Sequence, residues 1–163
     1  MYTAAVIRPV EDADADSLGH VHATSWHETY DHLLSGAALS QLRPERLAVL
    51  WRRVAAQGPE FRQFAALVDG EIVGFACSGP CREGDLTSQQ ELYSVHLLHA
   101  FHGTGIGQLL FDATIDPGPA HLWVAADSPR AHRFYTRNGF VPDGQEKTEE
   151  VLGEPLHEVR LVR

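Results

Sequence analysis

Gly103, Gly105 and Gly107 stand at alternate positions in "HGTGIGQLL", residues 102–110, between an apolar run and a helical pattern. A strand, a bare turn and a helix start together make an anion site. The first N–H groups of a helix lack intrahelical partners and carry the positive end of its dipole. Without side chains in the way, that backbone can touch phosphate oxygens. A tight turn that merely favours glycine is the competing reading of these three residues alone. Two other phosphate loops do not fit. A dinucleotide fingerprint needs its third glycine one residue later, and a P-loop needs a lysine, of which the chain has only Lys147. Metal chemistry is not expected despite ten histidines. His20 and His22 would lie about 200° apart around a helix axis. His96, His99 and His102 run from a strand into a turn with no carboxylate or cysteine to complete a ligand set.

The elements that must position this loop are readable from periodicity. "TAAVIRP" reads as a first strand ended by Pro9, followed by a helix with Leu18, Val21, His22 and Ser25 on one stripe. "PERLAVLWRRVAAQG" places Leu47, Leu50, Trp51 and Val54 on a second stripe, opening at Pro44 and stopping at Gly58. Two apolar runs flank Asp69-Gly70, a strong hairpin signal. "ELYSVHLL" is a strand into the glycines, and Ile106, Leu109, Leu110 and Ala113 make the helical stripe after them. "HLWVAA" is a strand, "SPRAHRFYTRNG" a helix with Ser128 as N-cap and Gly139 at its end, and "HEVRLV" an alternating strand. This order predicts one α/β domain over residues 1–163 with a mixed, largely antiparallel sheet.

At 163 residues and 44% hydrophobic content the chain can bury a core of its own. No apolar run approaches the roughly 20 residues of a membrane span, and the start lacks the basic and apolar regions of a secretory signal. Cys77 and Cys81 sit too close together to staple a fold. A reduced, cytoplasmic protein is the expectation. The net charge of −9 argues against broad nucleic-acid binding and mildly favours a cationic substrate.

"HGTGIG" resembles the pyrophosphate loop of GNAT acyltransferases, Gln/Arg-x-x-Gly-x-Gly/Ala, with His102 where glutamine or arginine is usual. "DSPRAHRFYTRNGF" resembles the second signature of that superfamily, Asn-x-x-Ala-x-x-Phe-Tyr-x-x-x-Gly-Phe, at the expected separation. "SWHETYDHLL" and the C-terminal segment extend the likeness, over nearly the full chain, to a bacterial subgroup with a SW-x-x-TY-x-x-LL pattern. Three departures stand out. His99 replaces a common proline, His102 replaces the usual glutamine or arginine, and Ser128 replaces an asparagine that contacts the pantetheine arm.

The resemblance implies an N-acetyltransferase that joins acetyl-CoA and an amine in a ternary complex. Two central parallel strands would splay, freeing backbone at Val95, His96 and Leu97 for the pantetheine amides and one N–H for the thioester oxygen. His102, Gly103, Thr104, Gly105, Ile106, Gly107 and Gln108 would hold the pyrophosphate, and Ser128 and Arg130 would touch the cosubstrate. Arg133 and Arg137 share that helix, where a solvated face is the other reading. Tyr135 takes the general-acid position, protonating the departing sulfur. Read without the resemblance, it is a core aromatic. Glu91 takes the position of a general base, against the alternative of a solvated strand-end charge, and His96 is the second candidate. Trp26 and Tyr30, four apart, would wall the acceptor pocket, with His27, Glu149 and Glu150 nearby. Both aromatics could instead simply pack the helix onto the sheet. The acceptor is expected to be a small-molecule or protein amine, and the chain could pair as a homodimer. A CoA-binding module without turnover is the competing function, which Tyr135 and Glu91 disfavour because a pure binder needs neither.

Overall fold

The computed structural model describes residues 4–86 and 90–163. Strand β1 (Val6–Pro9) leads into helix α1 (Ala15–Tyr30), a single turn α2 (Gly36–Leu39) and α3 (Pro44–Ala55). The hairpin of β2 (Arg62–Val68) and β3 (Glu71–Gly79) turns at Asp69-Gly70, and β4 (Glu91–Leu97) runs into α4 (Ile106–Thr114). Strand β5 (His121–Ala125), helix α5 (Pro129–Arg137) and the hairpin β6 (Val141–Val151) and β7 (Glu154–Val162) complete the chain. The seven strands form one sheet in the order β1-β2-β3-β4-β5-β7-β6. Every neighbouring pair is antiparallel except β4 with β5.

The central strands of the sheet are covered on both faces, which explains why they are apolar on both sides. Ala65 and Phe75 pack with Leu18, Val21 and Trp51 of α1 and α3. Ala66 and Ala76 turn the other way, against Ile106 and Leu110 of α4. Phe111, Leu122, Tyr135, Phe140 and Leu161 bring α5 onto that second face. The helical stripes are centred slightly differently from the periodicity reading. Leu50 and Leu109 lie outward at 44% and 48% exposure, while Ala48 and Phe111 face inward. Each apolar run was wider than the face the sheet could cover. Ser128 does stand at the start of α5, but its side chain makes no capping bond. With ψ at 72° its backbone is short of the extended geometry that aims a capping oxygen at the following N–H groups.

Candidate active site

Among the described residues only two rungs, Glu91 with His121 and Leu92 with Leu122, join β4 to β5. Above them the strands part, with β4 still paired to β3 as far as Leu97 and β5 to β7 along its whole length. A cavity of about 480 Å³ fills the gap and passes from one face of the sheet to the other. One end is walled by His102, Gly103, Gly105, Gly107 and Gln108, with Ser128, Arg130 and Arg137 of α5 opposite. Val95, Leu97, Val124, Phe134 and Tyr135 line the passage, and Thr29, Tyr30, Tyr93, Ser94, His96 and Trp123 line the far end.

The loop end is built of backbone. Gly103 and Gly105 have φ of 77° and 89°, values that favour glycine, and a Cβ at either would meet nothing within 4 Å. Glycine is therefore needed for the turn, and the space beside it stays open. Among the described residues, the N–H groups of residues 103–107 donate to no backbone carbonyl. Two loop side chains predicted at the site turn away from it. Thr104 donates its hydroxyl to the Phe101 carbonyl at 2.6 Å, and Ile106 is buried in the core. Both keep their amides at the loop. The Nε2–H of His102 donates to the Leu97 carbonyl at 2.9 Å, fastening the loop to the end of β4. Burial lowers the basicity of this imidazole. Gln108 exchanges amide hydrogen bonds with Asn138, at 2.7 and 3.1 Å, so the first turn of α4 is tied to the last turn of α5.

Glu91 departs from expectation. Its carboxylate is 1% exposed and lines no part of the cavity. One oxygen accepts from Arg82 Nη2 at 2.7 Å, and the other accepts from Arg82 Nε and N, both at 3.1 Å. His121 Nε2 stands 3.3 Å from the second oxygen. Burial pushes the Glu91 carboxyl up, but the Arg82 guanidinium and backbone N–H, with His121, hold it below the usual carboxylate value. A carboxylate so engaged is a poor base, and it is not solvated either. Among the described residues no aspartate or glutamate lines the cavity.

His96 stands on the α1 side of the sheet, opposite Phe75. Its ring packs among Phe75 at 5.4 Å, Trp26 at 5.9 Å, Tyr30 at 6.3 Å and His22 at 6.5 Å between centroids. Burial, with a smaller push from His22, holds its pKa down at about 3. Burial likewise holds His22 at about 4, and its Nδ1 accepts from the Trp51 indole N–H at 3.2 Å. Both imidazoles are neutral at ordinary pH. Tyr30 lines the cavity, whereas Trp26 stands behind it, 4.5 Å away between ring centroids. Burial and the charge of Glu158 push the Tyr30 hydroxyl up to about 12. Tyr135 is 9% exposed and packs edge-on against Phe134 and Phe140. Burial holds its hydroxyl protonated well above the ordinary tyrosine range.

Trp123, Tyr93 and Asn138 escaped the sequence reading. The Trp123 indole N–H donates to Glu83 at 2.9 Å, and the Lys147 ammonium lies 4.4 Å from its ring centroid. Arg82 covers the Tyr93 ring at 4.3 Å. Glu149, placed by the sequence near the acceptor, instead holds Lys147 at 2.7 Å, and Glu150 is exposed. Among the described residues no group of three or more histidine, cysteine or carboxylate side chains is placed to hold a metal ion. Nor is any helix there long and apolar enough to cross a membrane.

The sequence profile of the acetyltransferase (GNAT) family matches residues 22–140, from α1 through the glycine loop to the end of α5. The chain belongs to this family. As a GNAT member it is an acyltransferase, and acetyl transfer is its general activity. It is similar to the uncharacterized N-acetyltransferase YuaI of Bacillus subtilis, 27% identical over 95% of this chain and 90% of that one. Its fold is that of PaiA N-acetyltransferase from Thermoplasma acidophilum, crystallised in complex with coenzyme A. That likeness has a TM-score of 0.67 and 19% identity over 96% and 98% of the two chains. PH1933 from Pyrococcus horikoshii shares the fold at a TM-score of 0.70, with 18% identity over 98% of each chain. The parted β4–β5 pair, foreseen from the GNAT resemblance, is the feature around which this cavity forms.

Proposed function

We propose that this chain transfers an acetyl group from acetyl-CoA to an amine, both bound at once at opposite ends of the one cavity. The observation that carries the reading is its continuity, from free loop amides, through the parted strands and past Tyr135, to the aromatic end. The pyrophosphate fits the amides of residues 103–107, where bare glycines and the α4 dipole favour an anion. Arg130 and Arg137 supply cations on the facing helix, and Ser128 offers its hydroxyl to the arm. The free edge of β4 from Val95 to Leu97 suits the pantetheine amides, and an N–H there suits the thioester oxygen. The cosubstrate brings the activated acyl group, and everything else is done by the chain.

Tyr135 is the acid that returns a proton to sulfur, since burial keeps its hydroxyl protonated at the cavity wall. His96 takes the base role from Glu91. Its imidazole lines the acceptor end and, among the described residues, accepts and donates no hydrogen bond, whereas the Glu91 carboxylate is enclosed. The test is direct. Acetyl-CoA should raise the melting temperature by preferential binding to the folded state, and thiol should be released when an amine is added. Binding without thiol release across a broad amine panel would favour a CoA-binding module.

A further inference from the structure

We infer that the acceptor is a weakly basic amine carried on an aromatic ring, such as an arylamine or aryl hydrazine, because the acceptor end of the cavity is walled by aromatic rings and holds no carboxylate. This deepens the reading above and rests on it.

Tyr30, Tyr93, His96 and Trp123 present rings there, and Thr29 and Ser94 complete the wall. The carboxylates nearby are engaged elsewhere. Glu91 holds Arg82, Glu149 and Glu158 hold Lys147 at 2.7 and 3.7 Å, and Glu28 accepts the His99 N–H at 2.7 Å. An ammonium entering this end would lose water and meet no carboxylate in the wall, and the charge of Glu158, which reaches Tyr30, is already shared with Lys147. Nor are ring faces free to replace one. The chain's own Lys147 covers Trp123 at 4.4 Å, and Arg82 covers Tyr93 at 4.3 Å. A second cation would meet both as like charges. A neutral aromatic amine meets neither obstacle, and its ring can stack where the wall is flat.

Proton chemistry agrees. An alkylamine with pKa about 10.4 is about 1,000-fold more abundant as ammonium than as free amine at pH 7.4. An imidazole with pKa about 3 cannot strip that proton effectively. A weakly basic amine arrives unprotonated with its lone pair available. Its nitrogen attacks the thioester carbon, forming the C–N bond, and the C–S bond breaks. The proton that the acylated nitrogen must lose goes to His96, now an adequate base because that nitrogen has become acidic. The departing sulfur takes a proton from Tyr135, and solvent carries the proton from His96 back to Tyr135. One N–H is lost and one S–H gained.

The experiment compares shape-matched acceptors of graded basicity, aniline and phenylhydrazine against benzylamine and phenethylamine, with saturating acetyl-CoA at pH 7.5. The expected kcat/KM is at least about tenfold higher for the two weak bases, following their larger neutral fraction. Between pH 7 and 9 it should stay flat for aniline and rise with the free-amine fraction for benzylamine. Acetanilide, which cannot react onward, should quench tryptophan fluorescence in the CoA complex, while protonated benzylamine should not. His96→Gln should cut kcat for aniline while leaving acetanilide binding intact. Equal or greater use of the alkylamines, or no turnover of the aromatic amines by protein that binds acetyl-CoA, overturns the inference and leaves the acetyltransferase reading standing. Failure to bind acetyl-CoA at all would instead overturn that reading.

Discussion

The two ends of the cavity are built by opposite means. The loop end is one contiguous stretch, in which bare backbone supplies the chemistry and a helix dipole supplies the charge. The far end is assembled from α1, β4 and β5, with side chains for walls and no net charge of its own. A ligand that is anionic at one pole and neutral at the other suits a backbone pole whose N–H donors do not depend on residue type. It also suits a side-chain pole that single substitutions can retune. Breaking one pole should therefore leave the other working.

The passage between the poles should show the largest effect. Tyr135→Phe should lower turnover by roughly 10²–10⁴ with acetyl-CoA affinity almost unchanged. Because its hydroxyl forms no hydrogen bond among the described residues, the variant should keep its melting temperature. Full activity in single-turnover measurements would assign the proton to another source. Next comes the loop. Gly105→Glu puts a carboxylate at φ 89° beside open space, so folding loses about 1–2 kcal/mol to backbone strain but meets no clash, while phosphate meets a negative charge. Acetyl-CoA affinity by calorimetry should fall by roughly 100-fold, about 2.7 kcal/mol. Retained affinity in the folded variant would dismantle the loop assignment.

Glu91→Gln separates a base from a structural anchor. As an anchor, it should cost about 1–3 kcal/mol in urea unfolding by loosening the Arg82 and His121 contacts. Activity per folded molecule should then stay within about threefold and keep its pH profile. A collapse of the alkaline-independent rate would return the base role to this residue. The smallest effect concerns His22, a member of the aromatic packing behind His96. Its pKa is lowered from 6.5 to about 4 in the fold. The unfolded chain therefore binds more protons between these values, and stability falls as pH drops through that window. The loss by pH 5, discounted for partial exposure, is roughly 1–2 kcal/mol. His22→Phe should reduce this slope in urea midpoints taken at pH 7 and 5, leaving the part that His96 contributes, whatever it costs at neutral pH by orphaning the Trp51 N–H. An unchanged slope would mean that His22 is solvated in the fold.

The same contrast explains what could be read in the sequence. Glycines at 103, 105 and 107 act through their own backbone, so residue type and spacing suffice. The order of helices and strands was equally legible, because each stripe or alternation is local. The acceptor end depends on which way β4 points, and that is decided by a register shift between Cys77 and Ser78 that leaves an extra residue at Tyr93. Leu92 and Val95, three apart, therefore pack on the same face, against period-two alternation. No residue type announces that shift. The surroundings of Glu91 were hidden for a related reason. Its position along the strand was foreseen, but its partners lie nine and thirty residues away, and Arg82 carried no signal of its own.

Those partners give Glu91 a mechanical meaning. Because two rungs alone connect β4 to β5, the sheet behaves as two plates, four strands and three strands wide, meeting along a short seam. The Arg82–Glu91–His121 cluster sits on that seam, and the gap widens above it. A small change of angle at a pivot is magnified along the arms, so the seam sets how far apart Val95 and Val124 stand across the passage. Ligand amides bridging the arms would supply the rungs that the strands lack.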